Sequence, residues 1–127
     1  MKKIRVLVVD DSAFMRYAVN HHLSAQPDIE VVGLASDGVE AVEQVAALRP
    51  DVVTLDVEMP RLDGLGALRQ IMEKHPTAVV MLSSLTKEGA AVTVEALTIG
   101  AVDFVTKPSQ SISVHQVVDE LSKKVRQ

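Results

Sequence analysis

Four short apolar runs in this chain end in residues that could do chemistry. Asp10 and Asp11 follow Ile4 to Val9, Asp56 follows Val52 to Leu55, Ser83 and Ser84 follow Ala78 to Leu82, and Lys107 stands two residues beyond Val102 to Val105. Were the runs to lie side by side, three carboxylates would share one crevice. Like charges so close repel, which raises carboxyl pKa values, and a hard divalent cation relieves the repulsion. Magnesium suits such a place, because it takes oxygen ligands, keeps several waters and binds through one or two carboxylates together with phosphate oxygens. Asp10 or Asp11, Asp56 and a main-chain carbonyl would form a partial shell, with Glu58 close enough to Asp56 to supply the carbonyl. A carboxylate held beside a metal can attack phosphorus to give an aspartyl phosphate. Phosphoryl transfer needs mostly positioning and charge neutralisation, and for that Lys107 offers a compact cation and Ser83 a small hydroxyl donor.

Each of these residues also has a plainer reading. Asp10-Asp11-Ser12 can be a helix cap in which the acids offset the helix dipole, and Asp56 can begin a turn before Pro60. Ser83 and Ser84 can be loop residues, and Lys107 a solvated lysine. Pro108 biases Lys107 away from helical geometry and permits a cis bond, which would hold the lysine in an unusual direction. What favours the chemical reading is that four of five run ends carry the groups that magnesium and phosphate require.

The elements that must position these groups alternate. A fifth apolar run, Ile29 to Ala35, completes the set, and all five are short, rich in β-branched residues and bounded by turn residues. Between them lie segments of helical period. Ser12 can cap a helix with Met15, Val19 and Leu23 on one stripe, and Asp37 with Glu40 has capping-box spacing. Gly64 opens a third helix that Pro76 prevents from running on. A fourth spans about Glu88 to Ile99 before Gly100, and Ser113 caps a fifth with Val114, Val117, Val118, Leu121 and Val125 on one face. Five βα repeats imply a mostly parallel sheet, covered on both faces, with right-handed crossovers. In such sheets ligands bind outside the carboxyl ends of the strands.

The 127 residues fit one domain, 1–127, in which about two thirds of the unfolded surface is buried. Apolar residues make up 47% and aromatics only 2%, so the core must be aliphatic. A net charge of −4 with interspersed signs argues against general affinity for nucleic acid or anionic membrane. Without cysteine, neither a disulfide nor a thiolate metal site can form. The basic N-terminus leads into an apolar run too short for a signal peptide or a membrane span. A cytoplasmic chain is expected. His21, His22, His75 and His115 show no metal or triad spacing and read as surface residues.

The chain resembles the receiver domain of bacterial two-component response regulators. The resemblance rests on Val8-Val9-Asp10-Asp11-Ser12, on Asp51 through Pro60 with Asp63-Gly64, on Ser83, and on Phe104-Val105-Thr106-Lys107-Pro108. Leu55 to Arg61, Ser83-Ser84-Leu85-Thr86 and Gly100 to Pro108 are most similar to one subgroup, the receivers of chemotaxis protein-glutamate methylesterases. The resemblance implies a flavodoxin-like fold, a (βα)5 doubly wound sheet in the order 2-1-3-4-5. It implies that Asp56 accepts a phosphoryl group from a chemotaxis-type histidine kinase. Asp10, Asp11, Asp56 and the Glu58 carbonyl would then hold Mg2+, while Ser83 and Lys107 contact the phosphoryl group. Phe104 matches an aromatic switch position; lacking a tyrosine hydroxyl, it would have to act by packing. A methylesterase also needs a catalytic domain, and the chain, ending within its fifth helical segment, has no room for one. The chain is most simply an isolated regulatory module, natural or cut from a longer protein, whose expected partner is a downstream effector domain or protein. Rival readings are a magnesium-dependent phosphohydrolase with Asp56 as nucleophile, a stand-alone or transcription-regulating receiver, and a flavin carrier. The first would want an aspartate where Glu58 stands, and the last a Ser/Thr/Gly-rich phosphate loop where Asp10-Asp11 stands.

Overall fold

The computed structural model describes residues 2–84 and 87–127. Leu85 and Thr86, part of the stretch Ser83-Ser84-Leu85-Thr86, lie outside the described residues. Strands β1 (Ile4–Val9), β2 (Ile29–Ala35), β3 (Val52–Asp56), β4 (Ala78–Ser83) and β5 (Asp103–Thr106) alternate with helices α1 (Ala13–Ser24), α2 (Gly38–Leu48), α3 (Gly64–Lys74), α4 (Lys87–Ile99) and α5 (Val114–Val125). The strands form one parallel sheet in the order β2-β1-β3-β4-β5. This is the doubly wound, flavodoxin-like arrangement, with β1 and β3 adjacent at the topological switch point.

Strand alternation divides the core in two. Leu7, Val9, Val53, Leu55, Val79 and Met81 pack against α2, α3 and α4, whereas Val6, Val8, Val52, Val80 and Leu82 pack against α1 and α5. Both faces of β1, β3 and β4 are thus covered, which explains their nearly unbroken apolar runs. Among the buried polar side chains, Thr54 lies fully buried in the sheet between Val8 and Val80 and leaves its Oγ1 without a hydrogen-bond partner.

The helix starts follow capping chemistry. Ser12 Oγ accepts from Met15 N, Asp63 Oδ1 from Gly66 N, and Ser113 forms a reciprocal capping box with Gln116. The box expected at α2 is displaced by one residue. Asp37 accepts from Glu40 N at 2.9 Å, but the Glu40 carboxylate turns back to the N–H and hydroxyl of Ser36 rather than to Asp37. Asp37 directs its other oxygen to Arg61. Strands β3 and β4 each run one residue further than their apolar patterns, and β5 is shifted by one, leaving Val102 exposed outside it. Helix α5 closes at Val125 with Arg126 as its cap, rather than running to the end of the chain.

Candidate functional site

The carboxyl edge of the sheet gathers the run-end residues because the ladder continues past the strands. Val57 N donates to Leu82 O at 3.0 Å and Lys107 N to Ser83 O at 2.8 Å, aligning the exits of β3, β4 and β5. The chain leaving β1 is pinned as well: Asp10 N donates to Ala35 O at 3.1 Å, and Arg16 Nη1 donates to Asp10 O at 2.7 Å.

Carboxylate oxygens of Asp10, Asp11 and Asp56 all lie within 4.8 Å of one another. Asp10 and Asp56 are buried, whereas Asp11 is exposed. They open into a crevice of about 270 Å³ lined also by Ser12, Phe14, Lys107 and Pro108. Two exposed aromatics, Phe14 and Tyr17, stand on α1, the helix that begins beside this opening. Asp56 Oδ1 takes the Lys107 ammonium at 2.5 Å and the Glu58 N–H at 3.2 Å, while Oδ2 is buried with no partner. Asp10 Oδ1 accepts from Ser12 N at 2.9 Å, so the cap reading of Asp10-Asp11-Ser12 and the cluster reading hold together.

The electrostatics follow from this crowding. Burial, which outweighs the opposing Lys107 contact and is joined by the Asp10 charge, pushes the Asp56 carboxyl up to about 7. Burial also raises Asp10, against the Ser12 hydrogen bond that favours its ionised form. For Lys107 burial alone would favour the neutral amine, but the bond and charge of Asp56 win and keep the ammonium above its ordinary range. Two raised carboxyls, an orphaned buried oxygen and a third carboxylate within reach form an oxygen donor set that the Lys107 ammonium alone does not neutralise. Such a set fits a hard divalent cation.

The remaining expected site residues fall nearby in different ways. Glu58 is exposed, and its carboxylate accepts from Ser84 Oγ at 3.4 Å rather than joining the cluster. Ser83 is buried and its Oγ accepts from Thr93 Oγ1 at 2.8 Å. Phe104 is half-buried. Lys124 Nζ donates to the Phe104 carbonyl at 2.6 Å and lies 5.3 Å from the ring centroid, so a cation–π contact supplements the packing expected of this residue. No cis peptide occurs among the described residues; Lys107–Pro108 is trans, and the ion pair with Asp56 directs the lysine instead. Of the histidines, His22 departs from the surface reading. It is half-buried with Nε2 unpartnered, its ring edge-on to His115 at 6.1 Å.

Three positioning contacts were not apparent in the sequence. Arg61, in the left-handed region at φ 65°, reaches Asp37 Oδ2 through Nε at 2.9 Å and Nη2 at 2.8 Å. This ties the loop after Asp56 to the start of α2, where a Cβ on Gly38 would collide with the Leu62 carbonyl. The others are Arg16 on the Asp10 carbonyl and Thr93 on Ser83. Only Thr93 left a sequence signal: it falls at helical spacing with Gly89 and Ala96, a polar residue on the buried stripe.

Residues 6–119 match the response regulator receiver domain family. The chain is 60% identical over 126 residues to the protein-glutamate methylesterase/protein-glutamine glutaminase of Thermotoga maritima, covering 98% of this chain but 37% of that protein. It therefore spans about a third of the length of this relative. The crystal structure of the response regulator domain of Thermotoga maritima CheB superposes with a TM-score of 0.91 at 59% identity, over 98% of this chain and 95% of that one. A CheX-CheY complex from Borrelia burgdorferi holding BeF3 and Mg2+ contains a chain similar at TM-score 0.81 and 31% identity, covering 97% of this chain and 90% of that one.

Proposed function

The chain belongs to the response regulator receiver domain family, and we propose that it is the phosphoacceptor switch of a chemotaxis two-component system, with Asp56 as the acceptor. The observation that carries this reading is the convergence of Asp10, Asp11 and Asp56 beside a lysine already paired with Asp56. Asp10, Asp11, Asp56 and the Glu58 carbonyl would hold Mg2+, which when bound neutralises the clustered charge and keeps Asp56 ionised. In the transfer, an Asp56 oxygen forms a bond to phosphorus as the phosphorus–nitrogen bond of a kinase phosphohistidine breaks, its electron pair staying on the imidazole. Lys107 and Glu58 N–H orient the carboxylate through Oδ1, leaving Oδ2 without a competing protein contact.

In the phosphorylated state Ser83 and Lys107 contact the phosphoryl group, and Phe104 repacks over the face formed by α4, β5 and α5. Phosphate can shift that equilibrium because these contacts exist in one state only. Residues 1–127 constitute the receiver unit, acting in the cytoplasm on an effector domain or protein, with a methylesterase the output favoured by its relatives. No helix among the described residues is long and apolar enough to cross a membrane. Neither nucleic acid nor membrane is proposed as a partner of this unit.

Incubation with acetyl phosphate tests the reading. Stoichiometric, magnesium-dependent labelling that disappears in Asp56→Asn is expected; labelling that survives the substitution refutes the assignment. Sustained turnover of an unrelated phosphate ester would instead favour a phosphohydrolase.

A further inference from the structure

Ser83 does not face open crevice. Its Oγ sits 2.8 Å from Thr93 Oγ1, and both residues are buried, at 3% and 6% exposure. Thr93 Oγ1 is also 2.8 Å from Gly89 O, one turn back in α4. A threonine hydroxyl has one proton and here two acceptors, so that proton is shared or exchanged between Ser83 and the helix carbonyl.

We propose that Thr93 is a positioning residue of the switch: at rest its hydroxyl donates to Ser83 and holds it toward α4, and when Ser83 turns toward phosphorylated Asp56 the hydroxyl gives its hydrogen bond wholly to the Gly89 carbonyl. The inference rests on the reading of Ser83 as a phosphoryl contact. Its physical content is that release leaves no orphaned donor. Breaking a buried hydrogen bond ordinarily strands one partner, and the stranded group bears the desolvation cost. Here the second acceptor is already at bonding distance, and Ser83 takes its oxygen to a new donor or acceptor set. The handover also carries the event into α4, because a threonine back-bonded within a helix perturbs the local turn. The first turn of α4 is where such a change would be felt, since a Cβ on Gly89 would collide with the Ser84 carbonyl. Beside it lies a cavity of about 300 Å³ bordered by Ser83, Thr93, Leu97 and Phe104, which gives the ring room to repack.

The bland reading is a buried threonine satisfied by its own helix, with Ser83 merely adjacent. Thr93→Val separates the two, because it keeps the β-branched shape and removes only the hydroxyl. The variant loses the Gly89 bond in the phosphorylated arrangement and the Ser83 bond at rest, but the Gly89 carbonyl stays within the α4 ladder whereas Ser83 Oγ loses its donor, so the resting arrangement loses more. Calorimetric titration of the whole chain with beryllofluoride in saturating magnesium should show binding tighter by about fivefold in Thr93→Val, the worth of one ordinary hydrogen bond. Thr93→Ser should behave as the parent, affinity for magnesium alone should be unchanged, and in a Ser83→Ala background Thr93→Val should have no further effect. Affinity within about twofold of the parent or weaker, or the same gain in the Ser83→Ala background, overturns the proposal. Absence of beryllofluoride binding in the parent chain itself would overturn the Asp56 reading first, and this proposal with it.

Discussion

Replacing Asp56 with asparagine should stabilise the metal-free chain, increasingly as pH rises from about 4 to about 7. The Asp56 carboxyl moves from its ordinary 3.8 to about 7 on folding. At about 1.4 kcal/mol for each pH unit, that displacement separates the two protonation states by about 4 kcal/mol. Between pH about 4 and 7 the folded chain keeps a proton that the unfolded chain has released. The folded state binds more protons there, so stability falls as pH rises through this window, opposite to the usual behaviour of a salt-bridged carboxylate. Asparagine cannot titrate. Urea unfolding in the presence of a chelator should therefore show the Asp56→Asn chain gaining about 3 kcal/mol on the parent between pH 5 and 8. Saturating magnesium should restore the parent, since a ligand of the folded state stabilises it by mass action. Parallel stability–pH curves for the two chains without metal would refute the claim that burial, rather than the lysine, controls Asp56.

Two further substitutions probe the core and the site. Thr54→Val removes a buried hydroxyl that has no partner and fills the same space between Val8 and Val80, so thermal or urea unfolding should show a gain of about 1 kcal/mol; a loss would mean that the hydroxyl is satisfied. Lys107→Ala should leave magnesium binding in place, because the lysine contributes no ligand, while phosphorylation no longer shifts the α4–β5–α5 face, as followed by amide chemical shifts. Loss of magnesium binding in that variant would contradict the separate roles given to the carboxylates and the lysine.

The local grammar of the chain was readable where one residue decides one feature. Ser12, Asp37 and Ser113 cap the helices they were expected to cap, and the strand ends fall within one residue of the apolar runs. The shifts arise where ladder bonds such as Lys107 N to Ser83 O extend pairing into polar residues, which hydropathy cannot register. The convergence of Asp10, Asp11 and Asp56 required the strand order, and periodicity does not specify that; it came through the resemblance. Contacts made by long side chains across the fold were beyond reach. Arg61 could not be paired with Asp37, nor Lys124 with Phe104, because both basic residues read as ordinary solvated side chains. Thr93 and Ser83 are ten residues apart on different elements, and neither residue type by itself suggests burial.

The crevice at Asp56 has two walls of unequal stiffness. Toward α2 the chain is braced by the Arg61–Asp37 ion pair and by backbone approaches at Gly38 and Gly64 too close for any side chain. Toward α4 it meets, among the described residues, the exchangeable Ser83–Thr93 hydroxyl bond and a cavity. A load applied between a fixed wall and a yielding one is taken up by the one that yields. In the proposed switch the braced loop would serve as a fulcrum. Its contribution would be to stay still, so loosening Arg61 would dissipate the displacement at its source instead of blocking it at the output.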